Sequence, residues 1–338
     1  MTTTPTIAAL ATSLFITAFI GFALIPFLRK LKYGQTILDI GPKWHSAKQG
    51  TPTMGGIMFI IGITLGVGMG YALLFWQGVA ITTIENMRVL LGMVMALAFG
   101  GIGFIDDYIK VVKRQNLGLT AGQKLILQFG IAILYLWGLR FAGDISTYVL
   151  IPFFGHLNLG LAYMPLAAVG IVYLVNVVNI TDGIDGLCGS VTFISALGFL
   201  GIAAVLGRSG MSVMSAALAA GCLGFLLWNF YPAKVFMGDT GSLFLGGMVV
   251  ALGFGLGIPV YLAFIGILYI VEGLSVVIQT IYFKYTRRKT GTGKRLFKMS
   301  PIHHHFEMSG WSEARIVVTF SLFQLLGCIA AITAIYLV

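Results

Sequence analysis

Apolar residues run through this chain in ten blocks of membrane-crossing length, near residues 7–28, 54–76, 89–105, 125–142, 162–179, 189–207, 212–230, 242–257, 259–283 and 314–337. A helical span of the hydrocarbon core takes about 20 residues. The pattern therefore predicts an all-α polytopic integral membrane protein with about ten transmembrane helices. Glycines interrupt several blocks, which membrane helices tolerate when neighbouring helices satisfy the backbone. The longest polar stretches are 29–53, 106–124 and 284–313. Neither an internal repeat nor a soluble domain stands out, so residues 1–338 read as a single transmembrane domain. The first residues, MTTTPT, carry no basic region, and the apolar stretch behind them reads as a span, not a cleaved leader.

Ten spans place the stretches 29–53, 106–124, 180–188, 231–241 and 284–313 on one side. With the adjoining helix end, they hold 18 of the 21 Lys and Arg residues: five, four, none, one and eight in turn. Arg88, Arg140 and Arg208 fall on the other side. Basic residues collect in cytoplasmic loops, which makes the first side cytoplasmic and both termini extracytoplasmic. The chain is 58% apolar and only 9% charged, so its formal charge of +10 reads as loops facing anionic headgroups and not as a nucleic-acid surface. Cys188, Cys222 and Cys328 form no spaced pair and read as small core residues.

The acids need a separate cause, because the charge rule does not sort them. Asp39, Asp106, Asp107, Asp182, Asp185, Asp239, Glu307 and Glu313 fall on the basic side, and only Glu85 and Asp144 on the other. Three short motifs carry five of them: IDDYIK (105–110), NVVNITDGIDGL (176–187) and FMGDTGS (236–242). Each sits where an apolar helix meets a cytoplasmic loop, so all three can line one pocket at the inner membrane surface. Clustered carboxylates repel unless a cation joins them, and Mg²⁺ accepts one or two carboxylates plus phosphate oxygens. The glycines beside Asp182, Asp185 and Asp239 permit the tight turns of phosphate-binding loops.

Plainer readings stand beside these. Asp106 and Asp107 also fit a solvated helix end paired with Lys110 and Lys113. Lys48 fits a snorkelling juxtamembrane lysine, and Phe236 an interfacial aromatic or a face for base stacking. Asn176, Asn179 and Asn229 bridge helices or read a ligand. His303, His304 and His305 lie in the most basic loop. They lack the i, i+4 spacing of a helical zinc pair, and adjacent side chains diverge, which favours hydrogen bonding to phosphate or sugar over a metal site. Glu272, within the ninth block, reads as an acid satisfied by a neighbouring helix.

KQGTPTMGG, FIDDYIK, NVVNITDGIDGL, NFYPAKVFMGDTGS and SPIHHHFEMSGW occur in this order between about residues 43 and 315. Together they resemble the polyprenyl-phosphate N-acetylhexosamine-1-phosphate transferases. The PTMGG and HHH elements resemble the phospho-N-acetylmuramoyl-pentapeptide transferase branch. The resemblance implies transfer of phospho-N-acetylmuramoyl-pentapeptide from UDP-N-acetylmuramoyl-pentapeptide to undecaprenyl phosphate. The products are lipid I and UMP, the cofactor Mg²⁺, the setting peptidoglycan synthesis at the bacterial cytoplasmic membrane, and the assembly a homodimer. It makes Asp239 the first candidate for the metal, with Asp106 and Asp107 assisting there or at the lipid phosphate. It assigns Lys48, Gly183, Ile184, Asp185, Asn229 and Phe236 to the uridine part. Asn179, Asp182, His303, His304 and His305 go to sugar or phosphate, and Lys110 and Lys124 join the substrate-binding set. A sister activity moving GlcNAc-1-phosphate from UDP-GlcNAc is the alternative. An ion-coupled transporter fits less well, because transporter sites sit near the midplane between repeats.

Overall fold

The computed structural model describes residues 3–30, 48, 50–112, 118–152 and 154–337. Asp39 and Lys113, used in the readings above, lie outside the described residues. Ten helices among those described are long and apolar enough to cross a membrane. They are α1 (Thr3–Lys30), α2 (Gly56–Trp76), α3 (Thr83–Val112), α4 (Ala121–Phe141), α5 (Tyr163–Thr181), α6 (Leu187–Val205), α7 (Ser209–Asn229), α8 (Gly238–Gly255), α10 (Ile267–Thr290) and α12 (Glu313–Tyr336). Two short helices, α9 (Leu262–Ile265) and α11 (Ile302–Glu307), complete the helical set.

The helices α7 and α8 form the centre and are sheathed almost entirely by protein. Their sequences, SGMSVMSAALAAGCLGF and GDTGSLFLGGMVVALGFG, explain this. Small residues let backbones approach closely where lipid gives no hydrophobic drive for helix association. The helix α3 packs along α8, while α1 packs against α2 and α7. By contrast, α1, α4, α10 and α12 present large apolar side chains outward, among them Phe19, Phe22, Leu134, Ile281 and Leu326. In a membrane protein that face meets acyl chains. All three cysteines are free and buried, as small core residues.

Three features depart from the apolar pattern. The third span does not stop near 105 but continues to Val112, so Asp106, Asp107 and Lys110 are helical residues. The apolar run 259–283 is not one helix. It opens with a 3₁₀ turn at Pro259–Tyr261, passes through α9 and restarts as α10 after Gly266. Side chains from other helices satisfy the break: Gln324 of α12 donates to Ile265 O and accepts from Leu268 N, and Ser195 of α6 also donates to Ile265 O. The 143–161 connection carries an antiparallel hairpin, β1 (Tyr148–Ile151) and β2 (Gly155–Asn158), which the pattern did not indicate.

Candidate active site

The ends of α3, α4, α5 and α8 meet on one face of the bundle. The close approach of α3 to α8 depends on Gly103, where a Cβ would stand 2.1 Å from the carbonyl oxygen of Asp239. Nothing larger than glycine fits there. One turn further along α3, Asp107 reaches the open end of α8. Its Oδ2 accepts from Thr240 N at 2.9 Å and from Thr240 Oγ at 2.7 Å, and its Oδ1 accepts from Asp239 N at 3.3 Å. The first N–H groups of a helix lack intrahelical partners, and the positive end of the helix dipole favours a carboxylate there. Asp107 thus caps α8 from a neighbouring helix.

Asp106 is fully buried. Its Oδ1 accepts from Leu119 N at 2.7 Å, fixing the approach to α4. Its Oδ2 lies 2.6 Å from Lys110 Nζ, one helical turn on, and 2.9 Å from Lys124 Nζ in the first turn of α4. A capping box between Thr120 and Gln123 sets where α4 begins and so where Lys124 stands. Both lysines also reach Asp239 Oδ2, Lys124 at 2.7 Å and Lys110 at 3.2 Å. Asn179, near the end of α5, donates Nδ2 to Asp239 Oδ1 at 3.0 Å and to Ser242 Oγ at 2.7 Å. Asp106, Asp107 and Asp239 each place one oxygen within 4.8 Å of the others. The carboxylate repulsion read from the sequence is met here by Lys110 and Lys124.

Three hard oxygen donors at this spacing can hold a metal ion, and Asp239 is the most exposed of the three. Asp182 stays outside this cluster. Burial and then the charges of Asp239, Asp107 and Asp185 push its carboxyl up to about 8.

A second group lies beside the first. Lys48 Nζ stands 2.7 Å from Asp185 Oδ1 and 2.7 Å from Glu313 Oε2 at the start of α12. Burial alone would lower the Lys48 pKa, but the hydrogen bonds and charges of Asp185 and Glu313 outweigh it and raise it. Asp185 Oδ2 accepts from Ala233 N at 2.9 Å. Asn229 Oδ1 accepts from Gly186 N, and its Nδ2 donates to Val235 O. Phe236 donates its N–H to Pro52 O and accepts from Gly55 N, both at 2.8 Å, while its ring stays half-buried. These bonds lace Lys48, the 50–56 segment, the 182–186 turn and residues 229–236 into one floor. Met54 takes a left-handed φ of 69° at the turn into α2, a conformation that costs a residue with a side chain and persists where its surroundings fix it. Ile184 is buried in this floor, and Asn229, read from sequence as a ligand contact, has both amide ends on backbone groups.

The three histidines do not act as one group. They lie in α11, not in a loop, and the helix sends them apart. His303 is fully buried, its Nδ1 3.1 Å from Oε2 of the equally buried Glu272 on α10. This ion-pair contact is all that meets Glu272: neither of its carboxylate oxygens has a hydrogen-bond partner among the described residues, so the acid is less well satisfied than the sequence suggested. The other edge of the His303 ring underlies Gly183, where a Cβ would stand 2.1 Å from Nε2. His304 pairs with Glu307 at 2.5 Å, and His305 Nδ1 accepts from Lys298 N. Sequence reasoning missed Glu313 and the roles of Thr240 and Ser242. A Ser-Glu pair at 312–313 reads simply as a helix start.

Comparison with known proteins follows the same segments. The profile of glycosyl transferase family 4 matches residues 89–257, which include all three clustered aspartates. Signature 1 of the phospho-N-acetylmuramoyl-pentapeptide-transferases matches residues 48–60, beginning at Lys48. A phospho-N-acetylmuramoyl-pentapeptide-transferase of Halalkalibacterium halodurans is 45% identical over 327 residues, 96% of this chain and 95% of the relative. Those of Caldicellulosiruptor bescii and Clostridium botulinum are 42% and 45% identical, covering 98% and 94% of this chain and 98% and 92% of the relatives. At this identity across nearly the whole length of both partners, the chain belongs to the phospho-N-acetylmuramoyl-pentapeptide transferases and is a membrane-embedded transferase.

Proposed function

We propose that this protein transfers phospho-N-acetylmuramoyl-pentapeptide from UDP-N-acetylmuramoyl-pentapeptide to undecaprenyl phosphate, giving lipid I and UMP. The observation that carries the reading is the meeting of Asp106, Asp107, Asp239, Lys110 and Lys124 at converging helix ends beside the Lys48–Asp185 floor. One substrate is a lipid and the other a nucleotide sugar, so the site must stand where membrane and water meet. The distribution of Lys and Arg supports the cytoplasmic side of a bacterial cytoplasmic membrane.

Asp239, with Asp106 and Asp107, would hold Mg²⁺, whose charge stabilises phosphate oxygens and the departing UMP. The chain's own groups do the positioning. The Lys48–Asp185 floor with Gly183, Ile184, Asn229 and Phe236 receives the uridine end. Asn179, Asp182 and His304 would contact sugar and phosphate, with the buried His303 supporting the Gly183 turn from below and His305 held by Lys298, and Lys110 and Lys124 supply positive charge where two anionic substrates meet. Catalysis of phosphoryl transfer is mainly positioning and charge stabilisation.

The lipid phosphate oxygen bonds to the β-phosphorus while the bond from that phosphorus to the bridging oxygen breaks, and UMP leaves with the electron pair. A phosphate monoester has a second pKa of about 6 and is already mostly dianionic near neutrality. The geometry favours this single displacement over a phosphoaspartyl intermediate. Both oxygens of Asp107 accept from α8, and those of Asp106 are held by Leu119 and two lysines, so attack by either on phosphorus would first have to break these bonds.

The whole chain acts as one transmembrane transferase domain, assembled as a homodimer. Transfer of radiolabel from UDP-N-acetylmuramoyl-pentapeptide, and not from UDP-GlcNAc, to undecaprenyl phosphate in an Mg²⁺-dependent reaction tests the reading. Label arriving only from UDP-GlcNAc would refute it.

A further inference from the structure

We propose that Glu313 is a positioning residue for the nucleotide half of the site, acting through Lys48 and the 182–186 turn. This rests on the reading of that floor as the uridine end. An acidic residue in the first turn of a helix has an ordinary role, since it offsets the helix dipole. Glu313 does not need that role. Ser312 already caps α12 by accepting from Arg315 N. The Glu313 carboxylate turns away from its own helix. Its Oε2 accepts from Asp185 N at 2.9 Å and from Lys48 Nζ at 2.7 Å.

The result is a closed ring of three residues. Lys48 binds Asp185 and Glu313, and the Asp185 backbone N–H returns to Glu313. Asp185 is 3% exposed, Glu313 9% and Lys48 16%, so the lysine is the least enclosed of the three. An ammonium has three donors and no acceptor. Two are committed to Asp185 and Glu313, which fixes the direction of the third. A lysine on a flexible stem becomes a pre-aimed donor for an oxygen of a nucleoside diphosphate, and less of its rotamer freedom is left to lose on binding. By accepting from Asp185 N, Glu313 also holds the turn that carries Gly183 and Ile184, which Asp185 ties onward to Ala233.

The test is a double-mutant cycle of Glu313→Gln with Lys48→Ala, with the KM of each substrate, kcat and calorimetric UMP binding measured in detergent-purified protein. Glutamine keeps the shape and an acceptor for Asp185 N while removing the charge that holds Lys48. Glu313→Gln is expected to raise the KM for the UDP-linked substrate and weaken UMP binding about tenfold, as for one lost charge-assisted hydrogen bond. The KM for undecaprenyl phosphate and kcat should stay within about twofold. In the Lys48→Ala background the same change should have almost no effect, because the route to the ligand is already cut. An equal loss in both backgrounds, or an equal shift in both substrates' KM, overturns the proposal. Thermal unfolding of each variant separates a folding defect from a binding one, with UMP affinity read on the folded fraction. If the wild-type protein fails to use this donor, the functional reading fails, while the UMP cycle still decides the role of Glu313.

Discussion

Asp107 on α3 accepts both the backbone N–H and the hydroxyl of Thr240 on α8, so the aspartate of one helix is the cap of another. Its first duty is to hold α8, and with it Asp239, at a fixed height.

Asp107→Ala should therefore lose stability as well as activity. Loss of a capping acceptor costs about 0.5–2 kcal/mol, with a further cost for the buried groups left unpaired. Asp107→Asn keeps one acceptor oxygen and should recover part of the stability without recovering turnover. Thermal unfolding in detergent beside single-turnover assays would show the split. Equal melting temperatures for wild type and Asp107→Ala would refute the capping role.

Asp239→Asn should leave the fold intact at some cost in stability, because the one amide oxygen still accepts from Lys110 and Lys124 while the new NH2 faces the Asn179 donor. Turnover should fall by about 10²–10³-fold, the scale of removing one electrostatic stabiliser. The dependence of the residual rate on Mg²⁺ should weaken. A rate and an Mg²⁺ titration like those of the wild type would remove Asp239 from the metal.

Gly103→Ala places a methyl against the Asp239 carbonyl, and no flexible side chain is there to yield. Overpacking of this kind costs about 1–3 kcal/mol. The sharper effect should be on activity, because α3 and α8 must separate and the three carboxylates with them. Gly101, with open space at its Cβ, is the control, and Gly101→Ala should behave as wild type in the transfer assay.

Asp182 gives a pH dependence. Burial, then the neighbouring carboxylates, hold its pKa at about 8, above the 3.8 of a free aspartate. Between those values the folded protein binds more protons than the unfolded chain, so this group's contribution to stability falls as pH rises and is lost through about pH 8. Without divalent cations, the melting temperature of the wild type should decline from pH 6 to pH 9 more steeply than that of Asp182→Asn. Parallel curves would contradict the assignment.

The spans were legible because apolar runs of membrane length have few other uses. Their interruptions were not. Leu262 to Ile270 is uniformly apolar except at Gly266 and Tyr269, and the break there depends on Gln324 and Ser195 from distant parts of the chain. The extension of α3 past Ile105 was hidden because the aspartates look like a loop, although Asp106 and Lys110 sit at helical spacing. Within the site, the carboxylates stood out because charge is scarce in this chain. What each one does was not legible. Asp107 caps, Asp106 anchors and Asp239 stays most exposed, and those differences come from contacts with Thr240, Leu119 and the lysines. The three histidines looked equivalent as a run, and only the packing of α11 against α10 makes His303 the buried one.

The sheathing of α7 and α8 by their neighbours has a consequence for how the protein feels its membrane. A mismatch in bilayer thickness is met at the lipid-facing helices, whose tilt is held by their packing against neighbours. Asn229 and Asp239 stand at the ends of the shielded pair, whereas Lys124 rides on the lipid-facing α4. A change in bilayer thickness therefore meets the helix that carries Lys124 before it meets the one that carries Asp239, and the Lys124–Asp239 contact bridges the lipid-facing and the shielded parts of the bundle.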